Sequence, residues 1–174
     1  RIFVGPPLLE QFEEYAGIDE ETARKAVEIY RERYAPIGIF ENELYPGIEE
    51  MLSGLKNRGY KLAIASSKPE VFVKIVAEHF HIDSYFDEMV GSEPEGGRTN
   101  KTEVIEEALK RLGLSEHRDQ VMMVGDKEHA VFGARRAGLE CIAVSYGYGT
   151  EEELENAHPY KIVNSAEEIL DFFA

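Results

Sequence analysis

Apolar residues recur at helical spacing through the first quarter of the chain. Leu8, Leu9, Phe12 and Tyr15 form one such stripe, which Gly17 ends. Asp19 then suits an N-cap, with Glu20 and Glu21 in the first turn, where acids complement the helix dipole. Ala23, Ala26, Val27, Tyr30 and Tyr34 make a second stripe, broken by Pro36 and Gly38. From Tyr45 onward the period alternates. Pro46 suits a first helical position, and a helix runs to about Arg58-Gly59. Lys61–Ala65 is strand-like, with Ser66-Ser67 at its tip; Pro69 starts a helix that ends near Phe80. Glu88–Gly91 predicts a strand, Glu95-Gly96-Gly97 a turn, and Lys101 to Leu112-Gly113 a helix. Val121–Val124 predicts a strand followed by a helix to Ala137-Gly138. Cys141–Val144 and Lys161–Val163 predict two more strands, and Ser165 caps a closing helix. Strands alternating with helices imply an α/β fold with a parallel sheet covered on both faces.

Composition narrows the function classes. The chain has 174 residues, 43% of them hydrophobic, which suits one domain or a domain with a small helical insert. A net charge of -15, from 19 basic and 34 acidic residues, argues against nucleic acid and anionic membranes as partners. Cys141 is the only cysteine, so no disulfide forms within the chain. No apolar run approaches the roughly 20 residues of a membrane span, and no signal peptide is visible, so the expected location is cytoplasmic. The chain starts at Arg1, and the apolar Ile2–Pro7 reads as the middle of something.

Chemistry is suggested at three places. Val121–Val124 ends abruptly in Gly125-Asp126, and an acid at the carboxyl tip of a buried strand sits where open α/β sheets bind ligands. A metal ion held by carboxylate oxygen is one reading; an Asp N-cap is the other. Ser66-Ser67 offers hydroxyls and free N–H groups for a phosphate at a strand-to-helix turn, or simply caps the helix. Lys101 opens a helix, where the dipole disfavours a cation, so an anion is expected nearby unless the side chain is solvated. Lys68 and Arg98 either add positive charge or belong to the surface. Ser66, then 35 residues to Lys101, then 25 to Asp126 places all three at one end of the proposed sheet.

The segments Leu62-Ala-Ile-Ala-Ser-Ser-Lys-Pro-Glu70, Arg98-Thr-Asn-Lys-Thr-Glu-Val-Ile105 and Met123-Val-Gly-Asp126 resemble three consecutive motifs of the haloacid dehalogenase superfamily. The branch they look most like is that of the phosphoglycolate phosphatases. Phe3–Pro7, Ile82–Asp87 and Ser145-Tyr-Gly-Tyr-Gly149 are similar to the same branch. The resemblance implies a Rossmann-like core over residues 43–174, lacking its first strand, and part of a helical cap over residues 1–42. It implies hydrolysis of a small phosphorylated metabolite through an aspartyl-phosphate, assisted by Mg²⁺. Ser66 and Ser67 would bind substrate phosphate, Lys101 would be the catalytic cation, and Asp126 would bind the metal.

The departures carry as much information. The family's Asp-x-Asp nucleophile motif occurs nowhere among Asp19, Asp83, Asp87, Asp119, Asp126 and Asp171. The nucleophile is therefore expected upstream of Arg1, on a strand lying between those that end at Ser66 and Asp126. Without that strand, two interior edges would be left with unpaired backbone groups, so an N-terminal segment or a strand-donating partner is expected. The family's second metal-site acid, four residues after the first, is here Ala130, which implies weaker metal binding. Two alternatives follow: a catalytically inactive phosphate-binding or regulatory protein on the same fold, and, with a poorer match, a response-regulator-like receiver domain.

Overall fold

The computed structural model describes residues 8–93, 98 and 100–174. The expected turn at 95–97 and the motif residues 3–7 and 99 lie outside them. Two helices, α1 (Leu8–Ala16) and α2 (Glu20–Tyr34), pack against each other ahead of the α/β part. Asp19 caps α2 as expected, its Oδ1 accepting the Thr22 N–H at 3.0 Å. Then follow α3 (Ile48–Asn57), β1 (Ala63–Pro69), α4 (Glu70–His79), β2 (Glu88–Ser92), α5 (Lys101–Leu112), β3 (Met122–Gly125), α6 (Glu128–Arg136), β4 (Glu140–Val144), α7 (Glu151–Ala157), β5 (Lys161–Val163) and α8 (Ala166–Phe172).

All strand pairs are parallel. Strand side chains alternate between two helical layers, as the period of two requires. Met122, Ile142 and Val144 pack with α3 and α8, whereas Met123 and Cys141 pack with α5 and α6. Ile142, Val163, Val104 and Leu109 are fully or almost fully buried.

Among the described residues the strands form two ladders, β1–β2 and β3–β4–β5, and no ladder joins β1 to β3. Burial follows the same division. Cys141–Val144 of β4 are all buried, while β1 and β3 are at best half-buried and Val124 of β3 is 36% exposed. Strands of a helix-covered parallel sheet are ordinarily its most buried part. Here the strands that border the division are the most open. Helix α5 packs on β1 and on α6, so the two ladders share a helical layer although they share no backbone hydrogen bond.

Two sequence expectations need correction. The first strand runs over 63–69, not 61–65. Its start is displaced because Leu62 pairs with Asp87: the Leu62 N–H donates to Asp87 Oδ2 at 2.8 Å, and the Asp87 N–H donates to the Leu62 carbonyl at 2.8 Å. Helix α7 has no counterpart in the sequence reading, yet Thr150 and Glu153 form a capping box that starts it.

Charged groups tie β1, β2, α4 and α5 together around Glu70. Arg111 donates to both its carboxylate oxygens, at 3.2 and 3.1 Å, Lys74 to Oε1 at 2.9 Å and Arg98 to Oε2 at 3.3 Å. Burial alone would raise the Glu70 carboxyl. Hydrogen bonds from Arg111 and Lys74, the Arg111 charge and the Gly91 N–H outweigh it and bring the pKa down from 4.5 to about 2. A depressed carboxyl contributes stability above its unfolded pKa and loses it as the pH falls toward the folded value. Stability should therefore drop by up to roughly 3 kcal/mol between pH 4.5 and 2 through this group. In urea titrations across that window, Glu70→Gln should show a shallower fall in midpoint than the parent protein; an equal fall would remove Glu70 from the acid response.

Candidate functional site

Lys101 connects the carboxyl ends of β1 and β3: its Nζ donates to the carbonyl of Ala65, the residue before Ser66, and it feels the charge of Asp126. The serines do not follow the strand tip, as expected from sequence. They lie within β1, in a stretch where the register with β2 breaks between Ala65 and Pro69. Ser66 Oγ accepts the Lys68 N–H at 3.2 Å. That bond uses a lone pair, so the hydroxyl proton stays available for an anion. Ser67 follows in the same irregular stretch and is half-buried. Pro69 then caps α4 in an extended conformation, having no N–H of its own.

Lys101 is the first residue of α5, behind a capping box in which Asn100 and Glu103 satisfy each other's backbone N–H groups. Its side chain turns inward, and Nζ donates to the Ala65 carbonyl at 3.0 Å. Burial lowers the Lys101 pKa; the charge of Asp126 and the Cys141 thiol push it back up. The ammonium thus reaches between β1, whose carbonyl it holds, and β3, whose terminal acid it senses. The path exists because residue 133 of α6 is glycine. A Cβ there would lie 2.5 Å from Lys101 Cγ and 2.9 Å from its Cβ.

Asp126 follows directly on β3. Its Oδ2 accepts the Tyr148 N–H at 3.0 Å, and its carbonyl accepts the Gly149 N–H at 2.9 Å. The loop 145–149 is pressed onto the acid. A Cβ on Gly147 would stand 2.2 Å from Asp126 Cβ and 2.5 Å from Oδ2, and one on Gly149 would stand 2.3 Å from the Asp126 carbonyl oxygen. Glycine is required for that approach. The first turn of α6 closes equally tightly: a Cβ on Gly125 would come 2.2 Å from that of Ala130, which is 5% exposed. Tyr146, edge-on to Tyr45 at 5.2 Å, has its phenol pKa raised by burial, then by Tyr45 and Asp126.

The two cations left open by the sequence have other partners. Lys68 Nζ donates to the Tyr34 hydroxyl of α2 and lies over that ring, 4.7 Å from its centre. Arg98 donates to the Gly91 carbonyl at 3.1 Å and to Glu93 at 2.6 Å as well as to Glu70. Among the described residues, no group of three or more His, Cys, Asp or Glu side chains converges to hold a metal ion. Asp126 contributes one carboxylate, and Ala130 contributes none. A divalent cation here needs ligands from outside the described residues, and the residues present do not amount to a metal site.

A hydroxyl whose proton is free and a buried ammonium suit an anion. The model of the haloacid dehalogenase-like hydrolases matches residues 1–144. The chain belongs to this family. Within it, the chain is similar to a 5'-nucleotidase of Pseudomonas aeruginosa, at 44% identity over 90% of this chain and 70% of that protein. It is also similar to the tyrosine-protein kinase PtkA of Mycobacterium tuberculosis, at 32% identity over 94% of this chain and 55% of that protein. A phosphoglycolate phosphatase of Pseudomonas savastanoi matches at 26% identity over 90% of this chain and 57% of that protein. Among crystal structures, a predicted phosphatase from Clostridium acetobutylicum superimposes with a TM-score of 0.93 at 45% identity, covering 98% of this chain and 78% of that one. The chain thus spans between about half and four fifths of the proteins it matches. The Rossmann-like α/β fold expected from the resemblance stands. No helix among the described residues is long and apolar enough to cross a membrane.

Proposed function

We propose that the gene product carrying this chain is a phosphomonoester hydrolase acting on small phosphorylated metabolites. The observation that carries the reading is that Lys101 connects the Ser66 end of β1 with the charge of Asp126, across two strands that share no ladder. The nucleophilic aspartate is supplied from outside these 174 residues, on a strand that pairs with β1 and β3. Its carboxylate oxygen forms the bond to phosphorus while the ester P–O bond breaks and the leaving oxygen takes a proton from solvent; water then attacks the phosphorus, releasing inorganic phosphate and regenerating the carboxylate. In that step Lys101 neutralises charge on the nucleophile and the phosphoryl oxygens, and Ser66 donates a hydrogen bond to one of them. Ser67 lies beside Ser66 for a second contact. The resemblance implies Mg²⁺; Asp126 is the carboxylate of this chain that would face it, and its other ligands would come from outside the described residues.

Similarity favours a nucleoside monophosphate over phosphoglycolate as substrate, since the nucleotidase relative is 44% identical and the phosphoglycolate phosphatase 26%. The proposed setting is cytoplasmic, without a nucleic-acid or membrane partner. The test is phosphate release by the complete gene product, with Mg²⁺, from nucleoside 5'-monophosphates, phosphoglycolate and p-nitrophenyl phosphate. Turnover is expected with the first class above the second, and not with the 174-residue polypeptide alone. Hydrolysis by the isolated polypeptide would refute the external nucleophile. A second reading, a non-catalytic phosphate-binding protein, is favoured by alanine at position 130, where the family resemblance implies a metal-binding acid. Phosphate binding without any turnover would select it.

A further inference from the structure

Glu70 stands where two functional turns meet. On one side it ends the stretch Ser66–Pro69 and opens α4. On the other, its Oε2 faces the Gly91 N–H of β2 at 3.5 Å and Arg98 Nη2 at 3.3 Å. Arg98 grips the same strand end, with Nε on the Gly91 carbonyl at 3.1 Å. Three residues later comes Lys101, whose ammonium returns to the Ala65 carbonyl, one residue before Ser66. Short links thus join the Ser66–Pro69 stretch to Arg98 through Glu70, and join Lys101 back to the same stretch through Ala65. The Glu70 and Arg98 side chains are 20% and 15% exposed, so solvent screens the pair little. Glycine at 91 lets the turns touch: a Cβ would fall 2.4 Å from both Glu70 N and Cα and 2.5 Å from the Lys68 carbonyl oxygen.

Resting on the phosphate-site reading above, we propose that Glu70 and Arg98 are positioning residues that set the separation of the Ser66 hydroxyl and the Lys101 ammonium for a phosphate group. The phosphate does not touch them. Arginine suits the task because its planar fork bonds a carbonyl and a carboxylate at once, which lysine cannot do with the same geometry. Lys74 provides an internal comparison. It also pairs with Glu70, but from the next turn of α4, and it ties that carboxylate to neither β2 nor α5.

The test is calorimetric titration of the complete gene product with inorganic phosphate in the presence of Mg²⁺, alongside thermal unfolding. Arg98→Ala should weaken phosphate binding by about tenfold, the scale of other outer-shell losses. Added guanidinium ion should restore most of it, and Arg98→Lys should retain only part. Lys74→Ala should leave phosphate affinity unchanged. Rescue by guanidinium is the readout that lost stability alone would not produce. Unchanged affinity in Arg98→Ala, or an equal loss in Lys74→Ala, would overturn the positioning role while leaving the phosphate site intact. A parent protein that binds no phosphate would overturn the site and the positioning role together.

Discussion

Lys101→Met should lower phosphomonoester turnover by the complete gene product by about 10²–10³-fold, the usual loss when a charge-stabilising group is removed from a reacting centre. Thermal stability should hold or rise. Burial already lowers the Lys101 pKa, so the fold bears a cost for keeping this group charged. Methionine keeps an unbranched stem over Gly133 and ends that cost, at the loss of one hydrogen bond to Ala65. Turnover assays and thermal melts on the same preparations decide the matter. A variant that melts early yet keeps its activity per folded molecule would make Lys101 a structural residue and remove the central cation from the site.

Gly91→Ala should destabilise the protein by about 3 kcal/mol, the upper part of the usual range for overpacking. The added methyl would meet backbone atoms of Lys68 and Glu70 at 2.4–2.5 Å, and no rotamer change can relieve that. Strand β2 would have to separate from the Ser66–Pro69 stretch, taking the Gly91 N–H away from Glu70. Urea unfolding would show a lower midpoint, and phosphate binding should weaken in the molecules that remain folded. Gly113→Ala is a suitable comparison, because nothing lies within 4 Å of its added carbon and its cost comes from a φ of +71° alone. Equal losses at 91 and 113 would mean that the close approach of β2 to α4 matters less than its geometry suggests.

Much of this arrangement was legible in the sequence. The alternation of period marks every strand to within a few residues, because Val121–Val124 and Cys141–Val144 are short apolar runs between turn residues. Ser66 and Asp126 stand out in the sequence because each ends an apolar run, and Lys101 because it opens a helix, where the dipole disfavours a cation. That a strand lies between β1 and β3 is implied by the resemblance and by the lack of an Asp-x-Asp; among the described residues the strands form two ladders. Helix α7 escaped because its Glu-rich surface hides the period, although Thr150 and Glu153 carried the capping signal. The Glu70 cluster escaped for a different reason. Its partners come from 21, 28 and 41 residues away, and charges at such separations leave no local pattern. The roles of Gly91, Gly133 and Gly147 were equally hidden, since a glycine that admits a neighbour looks in sequence like one that bends the chain.

Gly133 bears directly on protein engineering. It sits within an α-helix with ordinary backbone angles, the kind of position a thermostabilisation programme replaces with alanine to gain up to about 1 kcal/mol of helix propensity. At this position the methyl would occupy the channel through which the Lys101 stem passes. The Lys101 stem would have to shift at its root, so the overlap should offset the gain in helix propensity, and Gly133→Ala should lower the melting temperature as well as displace the ammonium.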